Sequence, residues 1–252
     1  MQHQIVSKDK WIAARKELLT KEKEFTRQRD ELSKQRRELP WEAVEKSYLF
    51  EGPKGNETLG DLFGGRGELL VYHFMFGPGW KEGCQSCSYL ADHFDGMTIH
   101  LANRDVTLAV VSRAPSNEIA AFQKRMGWKF KWVSSFGNDF NYDYQVSATP
   151  EELATGEVYY NYGKTTFPSH EMPGLSAFYK DATGIFHTYS AYARGLDILL
   201  GAYNFLDMAP KGRHEEGLPW PMAWVRHHDK YGDGYEIDMS ALYSQPKASG
   251  AS

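Results

Sequence analysis

A single dithiol motif, Cys84-Gln85-Ser86-Cys87, contains both cysteines of the chain. One dithiol with no further cysteine is typical of thiol–disulfide chemistry in a reducing compartment. Half of a metal site, or two small buried residues on a helix, are the alternative interpretations. The motif follows an apolar run and precedes a stretch with helical periodicity, and this position favours redox chemistry.

The spacing predicts different roles for the two thiols. A helix that begins near Cys84 places that residue at its N-terminus, where free amides and the helix dipole favour an anion. Such positions lower a cysteine pKa from about 8.5 to roughly 3.5–7.5. We therefore expect Cys84 to be the nucleophile. Cys87 shares an apolar stripe with residues farther along the helix, so we expect it to be buried and to resolve the mixed disulfide. These stripe residues are Leu90, Ala91 and Phe94.

Charged residues near the dithiol are candidates for tuning it or for binding a partner. Lys81 could stabilise a thiolate at Cys84, whereas Glu82 would oppose it. Arg113 follows the second predicted strand, and the carboxyl edge of an open α/β sheet holds the ligand crevice. Arg113 is a candidate for binding an anionic group of the partner, although a structural salt bridge is the favoured alternative.

The histidines offer weaker signals. His73 lies in an apolar strand and His187 on a predicted hairpin, so a satisfied core histidine is favoured over a proton shuttle for both. His93 and His100 follow the dithiol, but their spacing does not match a zinc finger, and we predict no metal and no cofactor. His227 is expected at the surface. The sequence contains no nucleotide-binding glycine loop and no serine-hydrolase motif.

A long charged helix is predicted over residues 7–38, with an apolar residue at every seventh position. One interpretation is a coiled coil that forms a homodimer. The favoured one is an amphipathic helix that lies on its own domain, because no regular second apolar column accompanies the first. The residues of the column are Trp11, Leu18, Phe25 and Leu32.

From residue 47 onward the pattern alternates strands and helices, and a predicted β-hairpin and a last helix follow. Strand–helix–strand units imply parallel strands joined by right-handed crossovers. We therefore expect a mixed α/β sheet flanked by helices. The predicted organisation is an N-terminal helical extension over 1–46, a domain over 47–210 with an insertion at about 136–172, and an irregular tail over 211–252. The predicted strands are 69–76, 106–111, 130–133, 176–180 and 185–189.

The charge balance and the hydropathy exclude some classes of protein. A net charge of −4 and an isoelectric point near 6.1 argue against an electrostatic nucleic-acid binder. The N-terminus continues into a charged stretch rather than the apolar core of a signal peptide. No apolar run approaches the roughly 20 residues that span a bilayer. We expect a cytoplasmic protein that binds neither nucleic acid nor membrane.

The order of these elements, with C-x-x-C after the first long buried strand, resembles the thioredoxin fold. The segment Met172–Tyr179 resembles the strand that carries the cis-proline of thioredoxin, which implies a cis bond at Pro173 and a position beside the dithiol. Trp80 resembles the aromatic residue before that dithiol, although three residues intervene here. Trp80, Arg113 and Pro173 are therefore the predicted substrate-binding residues.

A closer resemblance covers nearly the whole chain. The sequence is similar to a bacterial family of unknown function, number eight-nine-nine in its naming series, whose members are described as predicted dithiol–disulfide oxidoreductases of thioredoxin-like fold. The resemblance implies a protein or small-molecule thiol or disulfide as substrate. The segments that carry it are Gly83–His93, Val111–Pro115, Arg125–Trp128, Asp139–Asp143 and Phe186–Ser190.

Two other functions remain open. Leu49–Phe63 resembles the lead-in of peroxiredoxins, in which Cys84 would form a sulfenic acid that Cys87 resolves. Peroxiredoxins, however, keep a threonine three residues before the reactive cysteine, where this chain has Lys81. The other alternative is a non-enzymatic redox-sensing or interaction module.

Overall fold

The computed structural model describes residues 3–232, and the chain divides into two compact units, Met1–Trp41 and Glu42–Ser252. The first unit contains the helix α1, Lys8–Arg37, which confirms the helix predicted for this stretch. Its last turn carries three basic side chains, which interact favourably with the carbonyl end of a helix. No residue of α1 is buried.

The second unit alternates strands and helices. Its elements in chain order are β1 Glu42–Ala43, β2 Leu49–Gly52, β3 Gly55–Thr58, α2 Leu59–Leu62, β4 Glu68–His73, α3 Gln85–Ala91, α4 Phe94–Asn103, β5 Val106–Ser112, α5 Ser116–Met126, β6 Lys131–Ser134, α6 Phe140–Asp143, α7 Pro150–Thr155, β7 Val158–Tyr160, β8 Gly163–Thr165, β9 Gly174–Asp181, β10 Gly184–Tyr192 and α8 Gly201–Leu206. Short 3-10 helices cover Ala193–Leu199 and His228–Lys230.

Within the described residues, eight strands form one mixed sheet in the order β1-β10-β9-β4-β5-β6-β2-β3. Strand β4, which leads to the dithiol, is central: it pairs in parallel with β5 and antiparallel with β9. Strand β5 continues in parallel to β6, and β9 forms a hairpin with β10. Parallel neighbours joined through helices, followed by an antiparallel hairpin, are the arrangement of the thioredoxin-like fold. The predicted fold class is therefore confirmed.

Each face of the sheet carries its own core because successive side chains of a strand point to opposite sides. Leu69 and Val71 of β4 belong to a cluster on one face. Tyr72, and Phe74 just after the strand, belong to a larger cluster on the other face, which also contains Cys87. The dithiol helix therefore lies on the Tyr72 side of β4.

Some predicted elements differ from the observed ones. The insertion, expected to be largely irregular, contains α6, α7 and the small sheet of β7 and β8. The predicted last helix begins as a 3-10 helix and becomes α-helical only at Gly201. Between Met208 and Gly232 the described chain contains only the short 3-10 helix, and the rest of the predicted tail, 233–252, lies outside the described residues.

None of the helices in the described part of the chain combines the length and the apolar character that crossing a bilayer requires.

Candidate functional site

Cys84 is held at the start of α3 by the backbone. Its N–H donates to the carbonyl oxygen of Met75 at 3.0 Å, so the dithiol stays tied to the end of the β4 segment. Cys84 is the N-cap residue, and its carbonyl accepts from the N–H of Ser88 at 2.9 Å and from the Ser88 hydroxyl at 2.8 Å. This fixed backbone leaves the sulfur at the open end of the helix, where it is partly buried.

Hydrogen-bond donors converge on the sulfur of Cys84. The thiol of Cys87 contributes most, followed by the backbone N–H groups of Cys87 and Ser86 and by the Ser86 hydroxyl. These donors hold the pKa of Cys84 below its ordinary value, although burial acts in the opposite direction. Hydrogen bonds to the charged form favour that form, so the arrangement stabilises a thiolate.

Cys87 has the opposite environment. It is only 2% exposed, and burial raises its pKa well above the ordinary value. The hydrogen bond that it shares with Cys84 and the charge of the neighbouring thiolate raise it further. The Tyr72 hydroxyl and the N–H of Met75 also contact the Cys87 sulfur, and both act to lower its pKa. Cys84 is therefore the more exposed and the more acidic thiol of the pair.

The charge of Glu82, two residues before the dithiol, is compensated by cations that the sequence did not indicate. Its carboxylate accepts from Arg125 at 2.5 Å and from Lys230 at 2.6 Å. Arg125 comes from α5 and Lys230 from the C-terminal segment, which the fold brings to the same place. The expected opposition of Glu82 to a thiolate is consequently weakened, while Lys81 lies exposed.

His227 is a further residue of this loop, and the expectation that it lies at the surface is wrong. It is 1% exposed, and its Nε2–H donates to the carbonyl oxygen of Gly83 at 2.8 Å. Its ring packs edge-on against Phe122. The C-terminal segment covers the loop before Cys84 and so buries this histidine. The sequence around His227 contains no pattern that predicts a partner 144 residues away.

The side chains of Trp80 and Glu171 lie close to Gly77, in the turn that leads to the dithiol. A Cβ atom at Gly77 would lie 3.0 Å from Trp80 Nε1 and 3.2 Å from Glu171 Cγ. Trp80 is partly buried against the core cluster that contains Cys87. Its predicted contact with substrate stays a prediction, and the structure adds Glu171 to its surroundings.

Arg113 forms an ion pair with Glu171, with Nη1 and Oε1 separated by 3.1 Å. Its guanidinium also lies over the ring of Tyr142 at 4.5 Å from the centroid. Glu171 is 2% exposed, and burial raises its pKa to about 7 against the opposing effects of Arg113 and of Ser147, whose hydroxyl donates to it. The structural salt bridge expected as one alternative is thus present, and binding of an anionic partner by Arg113 stays a prediction.

The peptide bond before Pro173 is trans, so the expected cis bond is wrong. The insertion fixes the chain on both sides of this bond. The N–H of Met172 donates to the carbonyl of Val146 at 2.8 Å, and the carbonyl of Pro173 accepts from the Tyr160 hydroxyl at 2.6 Å. Tyr160 also interacts electrostatically with Cys87, which helps to raise the pKa of the tyrosine. The expected position of Pro173 beside the dithiol stays a prediction.

His73 and His187 belong to one hydrogen-bonded chain on the opposite face of the sheet. His73 Nε2 contacts the Ser176 hydroxyl at 2.8 Å, and that hydroxyl contacts Ser190 at 2.8 Å. Ser190 contacts His187 Nε2 at 2.7 Å. Burial lowers the pKa of His73 to about 3, so it is a neutral core histidine. Within residues 3–232 no group of three His, Cys, Asp or Glu side chains could hold a metal ion.

The sequence matches the model of a family described as "Bacterial protein of unknown function (DUF899)" over residues 1–231. No curated protein matches the chain. Among solved structures, peroxidoxin BcpB from Mycobacterium tuberculosis is 12% identical, with a TM-score of 0.41 over 64% of this chain and 94% of that one. Peroxiredoxin Q from Xanthomonas campestris is 13% identical, with a TM-score of 0.43 over 65% of this chain and 95% of that one.

Proposed function

This chain belongs to a bacterial protein family of unknown function, DUF899, and we propose that it is a thioredoxin-like dithiol–disulfide oxidoreductase. The observation that carries the proposal is the convergence of hydrogen-bond donors on the sulfur of Cys84, beside a buried second thiol. A pair of thiols with one stabilised thiolate and one protonated neighbour is what disulfide exchange requires.

The reaction has two steps. The thiolate of Cys84 attacks one sulfur of a disulfide in a protein or small molecule, forms a mixed disulfide and releases the first thiolate. Cys87 then loses its proton and attacks the Cys84 sulfur, which expels the second thiolate and leaves a Cys84–Cys87 disulfide. The substrate disulfide gains two electrons, and the two thiols of the enzyme lose them. Because the thiols are one helical turn apart, the second step needs no large movement of the chain.

Alkylation at graded pH, with mass spectrometry to locate the label, tests the assignment of the thiols. We expect label on Cys84 at pH values where free cysteine is largely protonated, about 6 to 7. Preferential labelling of Cys87 in that range would reverse the roles. Equilibration of the wild type with glutathione buffers should place the dithiol potential at roughly −120 to −270 mV, the range of known exchange enzymes.

Cysteine variants test the reaction itself. Cys84→Ser removes the stabilised thiolate and should abolish disulfide exchange. Cys87→Ser leaves the first attack intact but removes the second, so it should accumulate a mixed disulfide with its substrate. A Cys84→Ser protein that still reduces disulfides at the wild-type rate would contradict the proposal.

A thiol peroxidase is the second candidate. The strands β2 and β3 form a hairpin followed by α2, so the segment that resembles a peroxiredoxin lead-in is folded ahead of β4. In this mechanism Cys87→Ser accumulates sulfenic acid at Cys84 on treatment with peroxide, without any disulfide substrate. If that variant traps no disulfide partner and forms no sulfenic acid, an interaction module becomes the best remaining function.

A further inference from the structure

Tyr72 is a polar group that contacts a reacting atom of the proposed dithiol but has no part in the two-step scheme above. It lies on β4, belongs to the same buried core cluster as Cys87, and has only 2% of its surface exposed. Its hydroxyl hydrogen-bonds with the side chain of Cys87. The ring is fixed by edge-on contacts with Phe74 and Phe94, at centroid distances of 6.2 Å and 5.4 Å. The hydroxyl is thus held at one place relative to the buried sulfur.

We propose that Tyr72 is a catalytic residue of the second step, in which its hydroxyl donates a hydrogen bond to the sulfur of Cys87 as that sulfur becomes the attacking thiolate. The inference rests on the dithiol function proposed above. It assigns the hydroxyl of Tyr72 to the resolving thiol, because this hydroxyl hydrogen-bonds to Cys87, whereas the donors around Cys84 come from Cys87 and Ser86.

The second step needs such a donor because Cys87 is buried. In the mixed disulfide Cys84 carries no charge, and a Cys87 thiolate would form in an apolar cluster at a large desolvation cost. The Tyr72 O–H is one of the groups that stabilise it, together with the N–H of Met75. Burial raises the pKa of Tyr72 well above its ordinary value, so the hydroxyl keeps its proton and remains a donor.

The atoms and electrons of the step balance without a further reactant. The Cys87 thiol releases its proton to the solvent, and its electron pair forms the bond to the Cys84 sulfur. The bond between Cys84 and the substrate sulfur breaks, and its electron pair leaves with the substrate thiolate. Tyr72 changes neither its protonation nor its covalent structure; it stabilises the charge on Cys87 before the new bond forms.

The test uses 5,5′-dithiobis(2-nitrobenzoate), whose coloured thiolate reports both steps in one reaction. The first equivalent is released when Cys84 attacks the reagent, and the second when Cys87 resolves the resulting mixed disulfide. In Tyr72→Phe we expect an unchanged first phase and a second phase slowed roughly four- to fifteenfold. This range follows from losing a hydrogen bond to a charged sulfur, partly offset because a more basic thiolate is more nucleophilic.

The pH dependence separates this role from a structural one. Tyr72→Phe raises the pKa of Cys87, so the slowing should diminish as the pH rises and more Cys87 is ionised in both proteins. A loosened core would instead slow the step at every pH. Tyr203→Phe is the matched control, because Tyr203 is also 2% exposed in the same core cluster and its hydroxyl bonds to Glu215 rather than to a cysteine.

The outcomes distinguish this proposal from the one on which it rests. A wild-type protein that releases only one equivalent lacks a resolving thiol, and the dithiol function itself fails. A wild type that releases two equivalents, with a second phase in Tyr72→Phe within twofold of wild type, overturns the assignment of Tyr72 alone. Equal slowing of both phases, or the same slowing in Tyr203→Phe, also overturns it.

Discussion

At the scale of single residues, the two thiols show how one helical turn can separate two chemical environments. Cys84 is surrounded by donors at the open end of α3, whereas Cys87 is buried in the core one turn later. The sequence predicts this asymmetry, because Cys84 stands at the predicted helix start and Cys87 shares an apolar stripe with residues farther along the helix. The spacing does not predict Tyr72, whose contact with Cys87 depends on how α3 packs on β4.

Glu171 is the other residue whose environment sets a testable property. Burial raises its pKa from 4.5 to about 7. Between these two pH values the carboxyl group is therefore protonated in the folded state and ionised in the unfolded state. The resulting stabilisation is fully present below about pH 4.5 and is lost as the pH rises through 7. A pKa raised from 4.5 to about 7 corresponds to a change in unfolding free energy on the order of 3 kcal/mol.

We therefore predict that the difference in unfolding free energy between wild type and Glu171→Gln falls as the pH rises from 4.5 to 8. The amide of the variant cannot ionise. The difference between the two unfolding free energies therefore cancels the pH dependence that other groups, such as His73, contribute to both proteins. Urea denaturation at several pH values measures the difference. Glu157→Gln is the control, because Glu157 is exposed in its ion pair with Lys164. A difference that is constant, or that grows with pH, would contradict the prediction.

At the scale of elements, the turn from β4 to α3 is fixed by Gly83. A Cβ atom at this position would lie 2.6 Å from Phe74 and 2.8 Å from Phe122, and both contacts are with ring carbons that cannot swing away freely. The close approach lets the aromatic core reach the backbone immediately before Cys84. The same glycine offers its carbonyl to His227, so the loop is held from two sides.

Gly83→Ala should consequently lower the unfolding free energy by about 1–3 kcal/mol, the usual cost of overpacking a core. Gly96→Ala is the matched control, because Gly96 lies within α4 and no atom outside its helix lies within 4 Å of an added Cβ. There the alanine should be neutral or stabilising by up to about 1 kcal/mol, since alanine is the better helix former. Urea unfolding of both variants gives the comparison, and equal effects would refute the packing argument.

The elements that could be predicted from the sequence are those with strong local patterns. The buried runs that became β4 and β5, and the turn between β9 and β10, are signalled by apolar continuity and by a tight turn. The insertion was harder because α6 and α7 span only 4 and 6 residues, too short for helical periodicity to show. The expected cis bond at Pro173 is wrong. The insertion, which is not part of the resemblance to thioredoxin, holds the chain at this proline.

The predictable part of the candidate site follows the same division. The C-x-x-C motif signals Cys84 and Cys87, and a place after a predicted strand signals Arg113; the substrate-binding role of Arg113 stays a prediction. Glu171 and His227 were not identified, because their contacts join segments far apart in sequence: Glu171 meets Arg113 across 58 positions and His227 meets Gly83 across 144. Only the folded chain brings these partners together.

At the scale of the whole molecule, the core and the dithiol belong to the second unit. The three hydrophobic clusters of the described chain are formed by residues 44–225. The first unit contains the single long helix α1, Lys8–Arg37, and no residue of this helix is buried. Its apolar column, which includes Trp11 and Phe25, is exposed by 59% and 66% at these two residues.

We predict that a chain beginning at Glu42 folds cooperatively, with an unfolding free energy within about 1 kcal/mol of the full chain, since its core clusters remain complete. It should also release two equivalents in the assay with 5,5′-dithiobis(2-nitrobenzoate). A loss of more than about 2 kcal/mol on truncation would show that α1 stabilises the second unit, as the interpretation of a helix lying on its own domain requires.

Light scattering on the same two samples tests the homodimer alternative: a coiled coil of α1 gives the full chain twice the mass of one chain and the truncated chain the mass of one. Equal association states of the two samples would rule out α1 as the dimer-forming element.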